Sequence, residues 1–422
     1  MCIHGSSMRL RFVAVLALGI VASACASEAS GSDDGSRADD VTSVPQTRVK
    51  EQLIGNCWIY ATLGWVESLH LAHSGETLDL SESYLTYLAA FMRITNDEFV
   101  FDVRGDWNTG DFFGQGAELI ARYGLMDQAA FVASEKDVDR STRQKAANDV
   151  VTKALKSGGA LASKEARRDP KKVRAVLDEA YALPAAIVSM MTKTFGEDLS
   201  KTRAKGAVLP KAGFHDPAKM IVAKTKDGHE VTLDEALGEL DPARPVSSVR
   251  DRKERRGQYA WQVVDMNDAA GRDAAVLRLK KTLNAGFAVP IDWYPAWDSM
   301  REPNGSFHAP VRGEGGWHAS IASDYEIDVP GHGVLPAGTP VTDQALLDKT
   351  LSKDASIKFL RMKNSWGRET GPLSARGYTD AMWDYLTWEW ERSRIDYDEK
   401  KETGIAISDF VLPPPSWEGA TH

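Results

Sequence analysis

The chain has 422 residues, 43% hydrophobic and 26% charged, an ordinary globular composition with apolar mass for one large domain or two modest ones. A formal net charge of -9 and a pI near 5.6 argue against a nucleic acid partner. Three cysteines, Cys2, Cys25 and Cys57, exclude a thiolate zinc cluster and a disulfide framework.

Residues 1–24 read as an export signal. Arg9 and Arg11 form a basic start, and Phe12 to Ala24 is an apolar run too short to span a bilayer comfortably. Two cleavage readings stay open. Ala22-Ser23-Ala24 before Cys25 is similar to a bacterial lipobox, which would make Cys25 a lipidated first residue and the membrane a partner; the other is plain small-x-small cleavage nearby. The lipoprotein reading is preferred. Either one places the protein outside the cytoplasm, in the periplasm or cell envelope. Residues 25–46 are Ser-, Asp-, Gly- and Ala-rich and read as a disordered tether.

Residues 47–131 carry helical patterns. From Cys57, residues at helical spacing, Ile59, Leu63, Val66 and Leu69 or His70, predict a helix to about Ala72, with Gly75 as its stop. Ser81 is a good N-cap for a second helix. Gly114-Gln115-Gly116 then opens a helix over Ala117 to Tyr123, and its glycines suggest a loop that a ligand backbone approaches closely. Residues 132–257 turn Lys-, Ala- and Asp-rich, with Asp169-Pro170 and the Thr232/Glu235 capping box as helix starts; they read as a mainly helical insertion. The basic run Arg250 to Arg256 reads as a solvated face or exposed loop. Residues 258–412 bring strands, at Tyr259 to Met266, Phe287 to Ile291, His318 to Ile327, Ile357 to Met362 and Gly404 to Val411. A helix over Asp273 to Leu283 and another over Tyr378 to Trp390 interrupt them. Residues 413–422 read as a proline-rich tail. Helices first and strands afterwards imply an α+β fold.

Cys57 sits in a first helical turn, where unpaired N–H groups and the helix dipole favour an anion and lower a thiol pKa. An exported chain with one unpaired internal thiol makes that position a nucleophile candidate, against the bland alternative of a buried, inert cysteine. A nucleophile needs a base and the base an orienter. Of nine histidines, His318 is favoured because it opens an alternating run. His308 is followed by Pro310, which spoils a strand. Asn364, in Asn364-Ser365-Trp366-Gly367, is the candidate orienter, with Trp366 covering the bond. The Gln52 side chain and the Cys57 N–H are candidate oxyanion donors.

Gln52…Gly55-Asn56-Cys57-Trp58, Leu80-Ser81-Glu82, Gly114-Gln115-Gly116, Trp317-His318-Ala319 and Lys363-Asn364-Ser365-Trp366-Gly367 occur in one order that resembles the papain-like cysteine peptidases. The resemblance covers most of residues 48–390 outside the insertion. The long gap between nucleophile and base looks more like the bleomycin hydrolase and bacterial aminopeptidase branch. It implies a papain-like fold, with a helical half and a β-rich half, and peptide-bond hydrolysis through a thiol acyl-enzyme. Its implied site is a Cys57 thiolate with a His318 imidazolium, Asn364 as orienter and Gln52 in the oxyanion hole. Gly114, Gln115, Gly116, Trp58, Trp317 and Trp366 would line a cleft for a peptide or protein substrate. No cofactor is expected. Rival readings are an inactive papain-like peptide-binding module and a transglutaminase-like acyl transferase. A metal site from Glu67, His70 and His73 is less favoured than a solvated helix face, so no metal is expected.

Overall fold

The computed structural model describes residues 44–102, 105–240, 255–301, 305–339, 341–367, 377–393 and 401–421. The expected export signal, Cys25 and most of the expected tether lie outside these residues. The last tether residues do not: Val44 is buried with its N–H on the Ser323 carbonyl at 3.1 Å, and Gln46 donates to Ser68. Apolar burial of Val44 and the bond from the Gln46 amide nitrogen to Ser68 make them part of the fold.

The architecture is α+β. Helix α1 (Cys57–Ser74) is buried on nearly every side, and Gly75 closes it in a left-handed conformation. The sequence predicts an apolar stripe; the structure also buries Thr62, Glu67 and Ser68. The cause is that α1 is wedged among α2 (Glu82–Thr95), α3 (Phe113–Tyr123), the short strand Ile221–Lys224 and the main sheet. Burying Ile59, Val66 and Leu69 fully stabilises by roughly 1.5–3 kcal/mol each. Ser81 caps α2 as expected, accepting from the Tyr84 N–H at 3.1 Å.

Residues 132–257 hold α4 (Thr142–Leu155), α5 (Pro170–Ala180) and α6 (Ala185–Phe195). Asp169 caps α5 ahead of its first-turn proline, and Thr232 and Glu235 form the predicted capping box on α7 (Leu233–Leu237). Beyond α6 the stretch is not helical throughout: Ile221–Lys224 pairs with Glu230–Thr232, and Glu239–Leu240 with Arg255–Arg256. Residues 250–254 of the basic run lie outside the described residues. Arg255 is no solvated residue: it is buried against Glu118 at 3.3 Å and donates to the Leu237 and Gly238 carbonyls.

One large sheet collects nine strands. In chain order these are β1 (Gln262–Asp265), β2 (Val289–Trp293), β3 (Met300–Arg301), β4 (Ser306–Phe307) and β5 (His318–Val329), then β6 (Gly333–Leu335), β7 (Ser356–Lys363), β8 (Tyr378–Met382) and β9 (Ile407–Leu412). The spatial order is β1-β9-β2-β5-β7-β8-β4-β3, with β6 hairpinned onto the far end of β5. Every pairing is antiparallel except β4 with β8. Helix α8 (Ala269–Asn284) joins β1 to β2. The predicted helix over Tyr378 to Trp390 is replaced by β8, one short turn of helix at Trp383–Leu386 and the strand Trp390–Ser393. Its alternating burial at Thr379 and Ala381 is the strand signal that the tryptophans obscured. The expected tail also packs: Trp417 is buried against Trp261 and Phe287.

Two features hold α1 against β5. Gly64 makes the approach close, because a Cβ there would stand 2.5 Å from Ile321 Cδ1. A buried polar lattice then laces residues 47–50 to both sides. Lys50 Nζ reaches Glu82 at 2.9 Å and the Leu80 carbonyl at 2.8 Å. Thr47 donates to Glu67 on α1 and accepts from Lys363 Nζ on β7 at 2.9 Å. A cavity of about 20 Å³ lies among Lys50, Glu67, Ser320, Lys363 and Asn364. That is room for one water.

Candidate active site

The site forms where the first turn of α1 meets the first residues of β5. Asn56 precedes the helix without capping it; its amide instead donates to Thr86 at 3.0 Å and Gln144 at 2.7 Å, which fixes the turn that delivers Cys57. The backbone N–H of Ala319, one residue beyond His318, acts on the Cys57 thiol in the sense that favours the thiolate. Both Cys57 and His318 are buried, at 8% and 7% exposure.

His318 Nε2 lies 2.7 Å from Asn364 Oδ1. Asn364 is itself fixed: Oδ1 also accepts from the Ser365 N–H at 2.8 Å, Nδ2 donates to Thr379 at 3.1 Å, and its own N–H donates to the Gly377 carbonyl at 2.8 Å. The Trp366 indole stacks on the imidazole, with ring centroids 4.8 Å apart and planes 29° apart. Gln52 lies beside this group. Its N–H donates to the Ser365 carbonyl at 2.9 Å, its Oε1 accepts from the Ser365 hydroxyl, and its Nε2 donates to the Ile54 carbonyl at 2.9 Å. One of its two amide hydrogens is therefore engaged within the loop.

The electrostatics reverse one expectation. Burial pushes the Cys57 thiol up to about 11, with the Asp292 carboxylate adding to the rise, and the N–H groups of Ala319, Trp58 and Cys57 only partly offset it. Burial likewise pushes His318 down to about 4, against the hydrogen bond to Asn364. Each group on its own resists charging, because burial removes the water that a charge requires. The helix N-terminus predicted a lowered thiol pKa; desolvation outweighs it here.

The structure brings together Cys57, His318, Asn364, Gln52 and Trp366. Four of the other expected residues, Gly114, Gln115, Gly116 and Trp58, are instead buried. Gly114, Gln115 and Gly116 lie within α3, which starts at Phe113, and all three are buried. Gly116 serves helix packing, since a Cβ there would stand 2.6 Å from Thr62 Oγ1. Trp58 is 1% exposed and donates to the Thr109 carbonyl at 2.9 Å. It holds a loop rather than facing solvent. Trp317 is exposed, with its ring against Tyr294.

Two groups around the start of α1 were missed from sequence. One is the loop at Thr109-Gly110, against Gly55: a Cβ on Gly55 would stand 3.3 Å from Thr109 Oγ1. A glycine in the polar run before α3 was its only signal. The other is Asp292, paired in register with Ala319 across β2 and β5, which only the sheet register reveals. Glu67 turns inward to Thr47 and the Leu80 N–H, away from a role with His70 and His73. Among the described residues no three His, Cys, Asp or Glu side chains are grouped to hold a metal ion.

No family model matches the chain, and no curated protein sequence matches it significantly. Solved structures with some likeness include the digestive procathepsin L 3 of the Tenebrio molitor larval midgut, 13% identical with a TM-score of 0.34, covering 88% of this chain and 67% of that one. A clostridial cysteine protease, Cwp84, after propeptide cleavage is 11% identical with a TM-score of 0.32, covering 88% of this chain and 56% of that one. PepW from Lactobacillus rhamnosis is 12% identical with a TM-score of 0.38, covering 89% of this chain and 82% of that one.

Proposed function

We propose that this chain is a papain-like cysteine peptidase acting on exported or extracellular peptides. The observation that carries the reading is the His318–Asn364 hydrogen bond at 2.7 Å, set one residue from the Ala319 N–H that favours the Cys57 thiolate. A base, its orienter and a thiol at a helix start are the parts that acyl transfer needs.

Cys57 attacks the scissile carbonyl while His318 Nδ1 takes the thiol proton. The new C–S bond and the proton transfer go together, because neither group favours carrying charge alone. Opposite charges formed side by side offset part of each desolvation cost. The Cys57 N–H and a rotated Gln52 amide receive the oxyanion. His318 returns the proton to the leaving amine as the C–N bond breaks, and water then cleaves the thioester, restoring the thiol and releasing a carboxylate. The long stretch between Cys57 and His318 is the ground for placing the chain beside the bleomycin hydrolase branch. Cys25 is the proposed lipid anchor at the cell envelope.

One observation favours a second reading, an inactive peptide-binding module: the thiol is buried and its pKa is raised. Labelling with an epoxide thiol reagent across pH separates the two. The peptidase reading expects the rate to rise as His318 loses its proton near pH 4, stay level, and rise again as the thiol ionises near 11. His318→Ala should abolish the plateau. A single alkaline rise in wild type, unchanged by His318→Ala, would leave only the binding module.

A further inference from the structure

Resting on the peptidase reading, we infer that Trp297 selects a bulky apolar side chain on the leaving-amine side of the scissile bond. The imidazole that protonates the leaving amine stands on that amine's side of the thiol. The ring stacked on that imidazole is Trp366, and Trp297 packs against Trp366 with centroids 5.3 Å apart. Trp297 thus continues the Trp366 surface outward from His318. It is 43% exposed, although its ring centroid also lies 6.3 Å from that of the buried Phe307. One part of the indole is packed and the rest is open to solvent.

The backbone under Trp297 is fixed. Its N–H donates to the Glu314 carbonyl at 2.9 Å, and Ala296 bridges to Gly315 in antiparallel register. Gly315 permits this: a Cβ there would stand 2.1 Å from the Pro295 carbonyl oxygen. The Ala296 N–H is held by the Tyr385 hydroxyl at 2.8 Å. These ties bind the loop that carries Trp297 to the loop that leads into His318. An anchored indole loses little freedom when a ligand stacks on it. An aromatic or large aliphatic side chain gains area burial and, for a ring, an aromatic contact. Trp317 is equally open, but its ring contact is with Tyr294 outside the Trp366 group.

Acyl-acceptor partition reads this side alone. The full chain is acylated on Cys57 by a peptide ester, and an added amino-acid amide competes with water. The acceptor nitrogen forms a C–N bond as the C–S bond breaks, and its proton returns to the thiolate through His318. Phenylalanine amide should outcompete glycine amide by about tenfold in wild type. The ratio should fall to about twofold in Trp297→Ala and Trp297→Leu, and be largely kept in Trp297→Phe, with thermal unfolding confirming that each variant is folded. Hydrolysis of the ester without an acceptor preference, or a preference that Trp297→Ala and Trp297→Leu leave intact, overturns the inference while the peptidase reading stands. Failure of wild type to form any acyl-enzyme overturns both.

Discussion

His318 Nε2 and Asn364 Oδ1 stand 2.7 Å apart, and the surroundings decide which atom carries the hydrogen. Asn364 Oδ1 also faces the Ser365 N–H, so it is the acceptor and the amide is not reversed. The neutral imidazole is therefore protonated on Nε2, and its lone pair is on Nδ1. Trp366 lies over the imidazole.

Asn364→Ala should remove this control of the tautomer and leave a buried Nε2–H without an acceptor. We expect kcat/KM on a peptide substrate to fall by roughly 10–100-fold, as for other orienting partners. Stability should fall by about 1–3 kcal/mol for the unsatisfied donor. Steady-state kinetics and urea unfolding measure the two effects. Unchanged kinetics would show that His318 needs no orienter.

Acid stability follows from His318. Its folded pKa is lowered from 6.5 to about 4. The unfolded chain binds this proton more tightly, so the full stability is present above 6.5 and is lost as pH falls through 4. The loss is on the order of 3 kcal/mol. Glu82 works in the opposite sense, because burial raises its carboxyl to about 7 despite Lys50, so its contribution is lost as pH rises. Comparing wild type with His318→Gln at pH 7.5, 5.5 and 4.5 cancels Glu82. The stability difference between the two proteins should shift toward the variant as pH falls; a pH-independent difference would contradict a buried neutral histidine.

Gly116→Ala tests helix packing against a cleft role. The added methyl would meet Thr62 Oγ1 at 2.6 Å, Cγ2 at 2.9 Å and Cβ at 3.0 Å, atoms fixed on α1. Overpacking of this kind costs typically 1–3 kcal/mol, offset by roughly 1 kcal/mol of helix propensity. Denaturant unfolding should show a net loss, with substrate preference unchanged among folded molecules. A changed preference at full stability would return Gly116 to the cleft.

Much of the site was legible because its signals are local. Gly75 after an apolar periodic run stops α1, Ser81 caps α2, and His318 opens a run whose alternation becomes β5. Residue chemistry and short-range geometry are enough for such features, and the order of the motifs supplied the pairing of Cys57 with His318 and Asn364. The tertiary structure decided what depends on neighbours distant in sequence. Glycines at 114 and 116 look alike in a loop or at a helix contact; only Thr62 across the interface distinguishes them. The Asp292 carboxylate opposes the thiolate because β2 and β5 pair in one register and set it across from Ala319. The sign of the Cys57 shift also needed the fold, since a helix start favours the thiolate while the protein closing around it removes the water that a charge requires.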